Sequence, residues 1–252
     1  MINNVGTPLL LSFLAGISTV IGSFVFLFIK DFKKSYLSFF LGMSAGAMIY
    51  ISLIELLPEA IKTLGFFPSN MTFFLGMICI GIIDFVVPHH YGNYCLKNGI
   101  KYDKLMLTGY MVVIGIAIHN FPEGIAVFMS SLGNARFGIL IAFATALHNI
   151  PEGVAVAIPV YYATKSKLKA FGYTVIAGIA EPIGAILAFV ILQPYLSPVF
   201  LSYVFAFVVG IMVYISFDEL LPTCFEHGGE GHTAIAGIVT GMLVMALSLN
   251  FM

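Results

Sequence analysis

Apolar residues fill the chain in eight long runs separated by short polar segments. The runs cover approximately residues 7–29, 36–57, 70–89, 105–131, 135–161, 170–193, 198–221 and 232–251. A helix needs about 20 predominantly apolar residues to cross a bilayer. The pattern therefore predicts an all-α integral membrane protein of eight transmembrane helices, forming one domain over residues 1–252. Basic residues fall between the runs with a bias. Lys30, Lys33 and Lys34, then Lys97, Lys101 and Lys104, then Lys165, Lys167 and Lys169 occupy alternate loops, while Lys62 and Arg136 lie in the others. The positive-inside rule makes the lysine-rich loops cytoplasmic and puts both termini outside.

Repeats sharpen this picture. Gly46-x-Met48-x-Tyr50-Ile51-Ser52-x-x-Glu55-Leu56-Leu57-Pro58 in span two returns in span seven as Gly210-x-Met212-x-Tyr214-Ile215-Ser216-x-x-Glu219-Leu220-Leu221-Pro222. Ala15-Gly16-Ile17 and Ile21-Gly22 in span one return as Ala177-Gly178-Ile179 and Ile183-Gly184 in span six. Spans three and eight share only Gly76-Met77 and Gly241-Met242. Matched spans are five apart and so run in opposite directions. The layout is three spans, a central pair and three inverted spans, an arrangement characteristic of secondary transporters. The symmetry breaks in an informative place: Glu181 of span six aligns with Thr19 of span one.

The central pair carries the most specific signal. His119-Asn120-Phe121-Pro122-Glu123-Gly124 in span four is repeated as His148-Asn149-Ile150-Pro151-Glu152-Gly153 in span five. Histidine and glutamate four residues apart share a helix face. Imidazole, amide and carboxylate without thiolate suit zinc, iron(II), manganese(II) or cobalt(II) better than copper(I). Ionisable groups at membrane depth are costly and mark function. Asn120 and Asn149 stand about 100° round the helix from the histidines, where they could serve a second ion bridged by Glu123 and Glu152. Pro122, Pro151 and Pro182 each free a carbonyl four residues back, on Ile118, Leu147 and Gly178.

Composition narrows the alternatives. Only 9% of the 252 residues are charged and mean hydropathy is +1.03, against roughly 25% charged residues in soluble domains. A net charge of -1 excludes nucleic acid as an expected partner. Cys79, Cys95 and Cys224 show no CxxC spacing and read as small hydrophobes. No ATP-binding G-x-x-x-x-G-K-[ST] loop is present. A divalent ion moving inward across roughly 100 mV gains about 4.6 kcal/mol, at about 2.3 kcal/mol per charge.

The doubled H-N-x-P-E-G motif, the eight spans and Glu181 in Ala180-Glu181-Pro182-Ile183-Gly184-Ala185 resemble the ZIP (Zrt/Irt-like) metal transporters over essentially the whole chain. The resemblance implies a carrier, not an enzyme, that takes divalent metal inward across a bacterial inner membrane. It implies a binuclear centre between spans four and five. Glu123, His148 and Glu152 would hold a first ion, usually zinc. Asn120, Glu123, Asn149, Glu152 and Glu181 would hold a second, such as iron(II), and His119 would add a ligand or line the path. These ions are cargo, no resident cofactor is implied, and a homodimer is the implied assembly. The chain departs from many relatives in lacking a long histidine-rich loop between spans three and four, where it has only His89 and His90.

Other polar residues leave alternatives open. Glu55, Glu59, Asp218 and Glu219 at the ends of spans two and seven fit pathway mouths and helix-end polar groups equally. Asp84 reads as an interfacial carboxylate or a guide for ions, and Glu226, His227, Glu230 and His232 as a solvated cytoplasmic loop or acceptors of ions on exit. Gly42/Gly46 and Gly237/Gly241 have the GxxxG spacing of close helix contacts. An intramembrane metal hydrolase and a metal-gated channel or sensor are the rival functions. The hydrolase reading lacks an H-E-x-x-H motif.

Overall fold

A computed structural model describes residues 5–28, 34–97, 104–192, 195, 197–227 and 231–250. Among the described residues there is no strand. Backbone groups in an apolar solvent must be satisfied within the segment, and helices do this. The helices are α1 (Gly6–Phe28), α2 (Lys34–Ile51), α3 (Leu57–Leu64), α4 (Phe66–Lys97), α5 (Lys104–Gly133), α6 (Ala135–Thr164), α7 (Lys167–Leu187), α8 (Pro198–Ile215), α9 (Leu221–His227) and α10 (His232–Asn250). Seven segments among the described residues are long and apolar enough to cross a membrane: 6–24, 35–64, 66–85, 135–158, 167–191, 198–225 and 232–250. The 30-residue α5, which carries the first hexapeptide, packs on α6 and α7.

Helix boundaries depart from the apolar runs where proline and charge mislead. The second run stops at Leu57, before Pro58, Glu59 and Lys62. The helix continues instead through a π-helical turn, Ser52–Leu56, into α3 and ends at Gly65, whose φ of 85° suits glycine. Pro58 has no N–H to offer the carbonyl of Ile54 and its ring crowds that carbonyl. The wider turn relieves this, with Leu57 N–H donating to Ser52 O. The same device recurs at Ser216–Leu220, ahead of Pro222, where Leu221 N–H donates to Ser216 O. The equivalent Glu55 and Glu219 thus sit in equivalent π turns.

Contacts between helices repeat in pairs. α2 packs on α10 as α8 packs on α4, and α1 packs on α6 as α7 packs on α5. α2 also meets α6 as α8 meets α5. Exchanging α1 with α7, α2–α3 with α8–α9, α4 with α10 and α5 with α6 maps each of these contacts onto another. The GxxxG expectation holds: Gly42 and Gly46 lie against the carbonyls of Ala234 and Ile238, and Gly237 and Gly241 against those of Phe39 and Met43.

Outward faces carry exposed large apolar residues, including Leu10, Phe74, Ile78, Ile183, Val190 and Leu243. Such a continuous apolar exterior is poorly tolerated by water. Polar groups lie inside instead, where Asn120, Glu123, His148, Asn149, Glu152 and Glu181 are all buried.

Candidate metal centre

A tight hairpin sets the two hexapeptides side by side. Asn134 separates α5 from α6, and its side chain accepts hydrogen bonds from the backbone N–H groups of Arg136 and Phe137 at 3.0 and 3.3 Å. This caps α6 at its first turn. His119 lies fourteen residues before Gly133 and His148 thirteen after Ala135. At about 1.5 Å per residue both motifs reach a common depth, about 20 Å from the hairpin.

The glycine that ends each motif allows α7 and α1 to close over it. A Cβ at Gly124 would overlap the carbonyl oxygen of Glu181, and one at Gly153 would overlap that of Thr19. Glu181 and Thr19 are the equivalent positions singled out by the repeat. The backbone of α7 therefore seals the α5 motif, and the backbone of α1 seals the α6 motif. Gly178 O, freed by Pro182, lies against Gly16 of α1.

Five contacts knit the cluster. His148 Nε2 is 3.1 Å from Glu123 Oε1, linking the motifs across α5 and α6. Asn149 Nδ2 donates to Glu181 Oε2 at 2.8 Å and to Ala15 O at 3.0 Å. Asn120 Nδ2 donates to Ala177 O at 3.1 Å, the pseudo-symmetric partner of the Ala15 contact. Glu152 Oε1 accepts from Ser44 of α2 at 2.7 Å. Glu181 also lies within electrostatic reach of Glu123 and Glu152.

With both amide nitrogens bound to backbone carbonyls, the amide oxygens become the available ends. Asn120 Oδ1, Asn149 Oδ1, Glu123 Oε2 and Glu181 Oε1 are buried without a hydrogen-bond donor. A buried polar atom left unpaired costs about 1–3 kcal/mol, and more when charged. Three neighbouring carboxylates repel one another in a medium of low dielectric. Oxygen acceptors, clustered negative charge and one imidazole fit a divalent cation, which would satisfy the acceptors and neutralise the charge.

The sequence candidates are thus partly joined. Glu123 meets His148, and Asn149 meets Glu181. Among the described residues no three His, Cys, Asp or Glu side chains have the mutual spacing of a ready-made metal site. The intervening groups are amides, Asn120 and Asn149. His119 is helical, but its side chain lies outside the described residues, as do the side chains of His89, His90, Cys95, Glu226, His227 and the whole of Glu230. His232 is exposed at the start of α10, and Asp84 is partly buried on α4, apart from the contacts that knit the cluster. Met48, Met129, Met212 and Met245 are buried, with Met48 Sδ near the Ser44 hydroxyl at 3.9 Å and Met212 Sδ near the Ser52 hydroxyl at 3.7 Å.

Sequence reasoning passed over Ser44. Of the outer carboxylates, Glu55 and Glu59 line a cavity of about 510 Å³ together with Ser130, Asn134 and Ser202. Its lining comes from α3 and its preceding turn, the α5–α6 hairpin and α8, so it opens where the hairpin turns.

Fold and buried cluster together define an all-α, multi-pass membrane protein. Residues 88–249 match the ZIP zinc transporter family. The chain is 48% identical to the zinc transporter ZupT of Chlorobium phaeovibrioides over 98% of both chains. It is 47% identical to that of Streptococcus mutans over 96% of both, and 42% identical to that of Clostridium perfringens over 98% of this chain and 96% of the relative. The chain belongs to the ZIP family.

Proposed function

We infer that the protein is a secondary transporter that carries divalent metal ions into the cell, zinc first and also iron(II), manganese, cobalt and cadmium. Its relatives are named zinc transporters, and this favours a carrier over the hydrolase, channel or sensor. The observation that carries the reading is the set of four buried oxygens without donors, on Asn120, Glu123, Asn149 and Glu181. They lie on three helices packed together in a chain that belongs to a transporter family.

In this reading Glu123, His148 and Glu152 hold one ion. Asn120, Asn149 and Glu181 hold a second with the two glutamates, and His119 adds a ligand or lines the path. Eight spans in one domain, arranged as three, an inverted pair and three, cross a bacterial inner membrane with both termini outside. The paired helix contacts and the recurring π turns support that arrangement. Lipid surrounds the apolar exterior, and two copies assemble as a homodimer. The membrane potential suffices to support uptake without ATP, since a divalent ion gains about 2.3 kcal/mol per charge per 100 mV.

Zinc-65 uptake into proteoliposomes with an inside-negative potential tests this. Saturable uptake by the wild type, lost in Glu152→Ala and His148→Ala, is the expected result. Absence of uptake by folded wild-type protein overturns it.

A further inference from the structure

The two halves of the molecule treat their hexapeptides differently. Ser44 and Val208 are equivalent positions in the repeat, each two residues before the matched Gly46 and Gly210. Val208 is buried in the apolar core and lines an apolar groove with Phe121 and Pro122. Ser44 is fully buried and donates its hydroxyl to Glu152 Oε1 at 2.7 Å. Glu181 and Thr19 form another unequal pair, and Glu181 accepts from Asn149. These two departures from symmetry each bring a polar group against the α6 motif. Pure packing between α2 and α6 would be served by valine on both sides, as it is between α8 and α5. A hydroxyl placed only on the side of Glu152 indicates a task set by that carboxylate.

We propose that Ser44 is a specificity-determining residue for the transported metal, contributed to the site by α2. The proposal rests on the carrier reading above. Ser44 stands outside the group formed by α1, α5, α6 and α7, which supplies every candidate ligand. It acts in two ways. Its hydrogen bond to a carboxylate, of the stronger charge-assisted kind, fixes the orientation of Glu152 and occupies one lone pair of Oε1. Its oxygen also stands one ligand–ligand spacing from Oε1. A cation held by Glu152 Oε1 at about 2.0–2.2 Å would lie no more than about 5 Å from the Ser44 oxygen. A neutral, hard oxygen there suits zinc, manganese(II) and iron(II) and gives no advantage to thiophilic cadmium. Met48 Sδ stands 3.9 Å from Ser44 Oγ as a weaker second acceptor, against 2.7 Å for Glu152 Oε1.

The test compares wild type, Ser44→Ala, Ser44→Thr and Ser44→Cys in proteoliposomes, with zinc-65 uptake measured in competition with cadmium and manganese. Ser44→Ala is expected to raise the half-saturation concentration for zinc by about tenfold, the loss of one hydrogen bond to a charged group. Ser44→Thr, which keeps the hydroxyl, is expected to restore it. Ser44→Cys is expected to move the preference for cadmium over manganese by at least about tenfold, because a thiolate is a soft ligand. Purified Ser44→Cys protein with cadmium should also show thiolate-to-cadmium absorption above the wild-type background, a readout that survives loss of transport. An unchanged metal order in Ser44→Cys, with no added absorption, overturns the proposal while leaving the carrier reading intact if Glu152→Ala still abolishes uptake. Equal half-saturation in Ser44→Ala and wild type overturns it likewise. Wild-type protein that transports no metal overturns both.

Discussion

His148 Nε2 stands 3.1 Å from Glu123 Oε1, so the two hexapeptides meet through one ring nitrogen and one carboxylate oxygen. The other carboxylate oxygen, Oε2, is buried without a donor. Replacing His148 by alanine removes a proposed ligand and leaves Glu123 less supported in a buried setting. His148→Ala is expected to lower kcat/KM for zinc uptake by about 100-fold, the upper end of losses from disturbing a metal shell. Glu123→Gln keeps the shape but removes the charge, and is expected to lower it as much. Zinc-65 uptake checks both, and retention of more than a third of wild-type kcat/KM in either would exclude a direct role for that residue.

Gly124 and Gly153 set how closely α7 and α1 approach the motifs. Alanine at either position must push a backbone carbonyl aside. Each substitution is expected to destabilise the protein by about 1–3 kcal/mol, the usual cost of overpacking. Gly172 on α7 offers the control, because a Cβ there meets nothing within 4 Å. Gly172→Ala should be neutral or stabilising by about 0.5–1 kcal/mol. Thermal unfolding in detergent, followed by size exclusion at fixed zinc concentration, ranks the three. A Gly153→Ala variant as stable as Gly172→Ala would contradict the close approach.

Much of this was legible in the chain because a bilayer leaves few solutions. Long apolar runs have to be helices, and the Gly46–Pro58 and Gly210–Pro222 repeats foretell pairs that the structure realises as α2 on α10 and α8 on α4. The π turns were not legible as such. Pro58 and Pro222 read as run endings, whereas the backbone absorbs each proline by widening one turn and continuing. The Glu123–His148 pairing could be expected from two motifs on adjacent helices. The role of Ser44 could not, since a lone serine in an apolar run carries no signal until packing brings it against Glu152. Only comparison with Val208 at the equivalent position hints at it.

Asn149 is a donor before it is anything else. Its Nδ2 holds both Glu181 Oε2 and Ala15 O. Aspartate has the same shape and no donor, and sets a second carboxylate against Glu181. Asn149→Asp is expected to destabilise the metal-free protein by about 1–3 kcal/mol through lost hydrogen bonds. Zinc should then raise its Tm by more than it raises that of the wild type, because a cation neutralises the new pair and ligand binding stabilises the folded state. Melting curves with chelator and with excess zinc decide. An equal zinc-induced shift in both proteins would place the cation away from Asn149.

Glu55 and Glu59 offer a different kind of control, over arrival and not over binding at the centre. Both line the cavity beside the α5–α6 hairpin, and Glu59 is paired with exposed Lys62 at 2.7 Å. Carboxylates at the mouth of a narrow cleft raise the local concentration of cations. The double variant Glu55→Gln with Glu59→Gln is therefore expected to raise the KM for zinc by about threefold at low ionic strength, with kcat unchanged. Lys62→Gln removes a repelling charge and should shift KM the opposite way. Both differences should vanish near 1 M salt, where the screening length falls to about 3 Å. Uptake measured across a salt series separates this from a ligand role. A drop in kcat that persists at high salt would mean that these glutamates act on the ion's passage itself and not on its delivery.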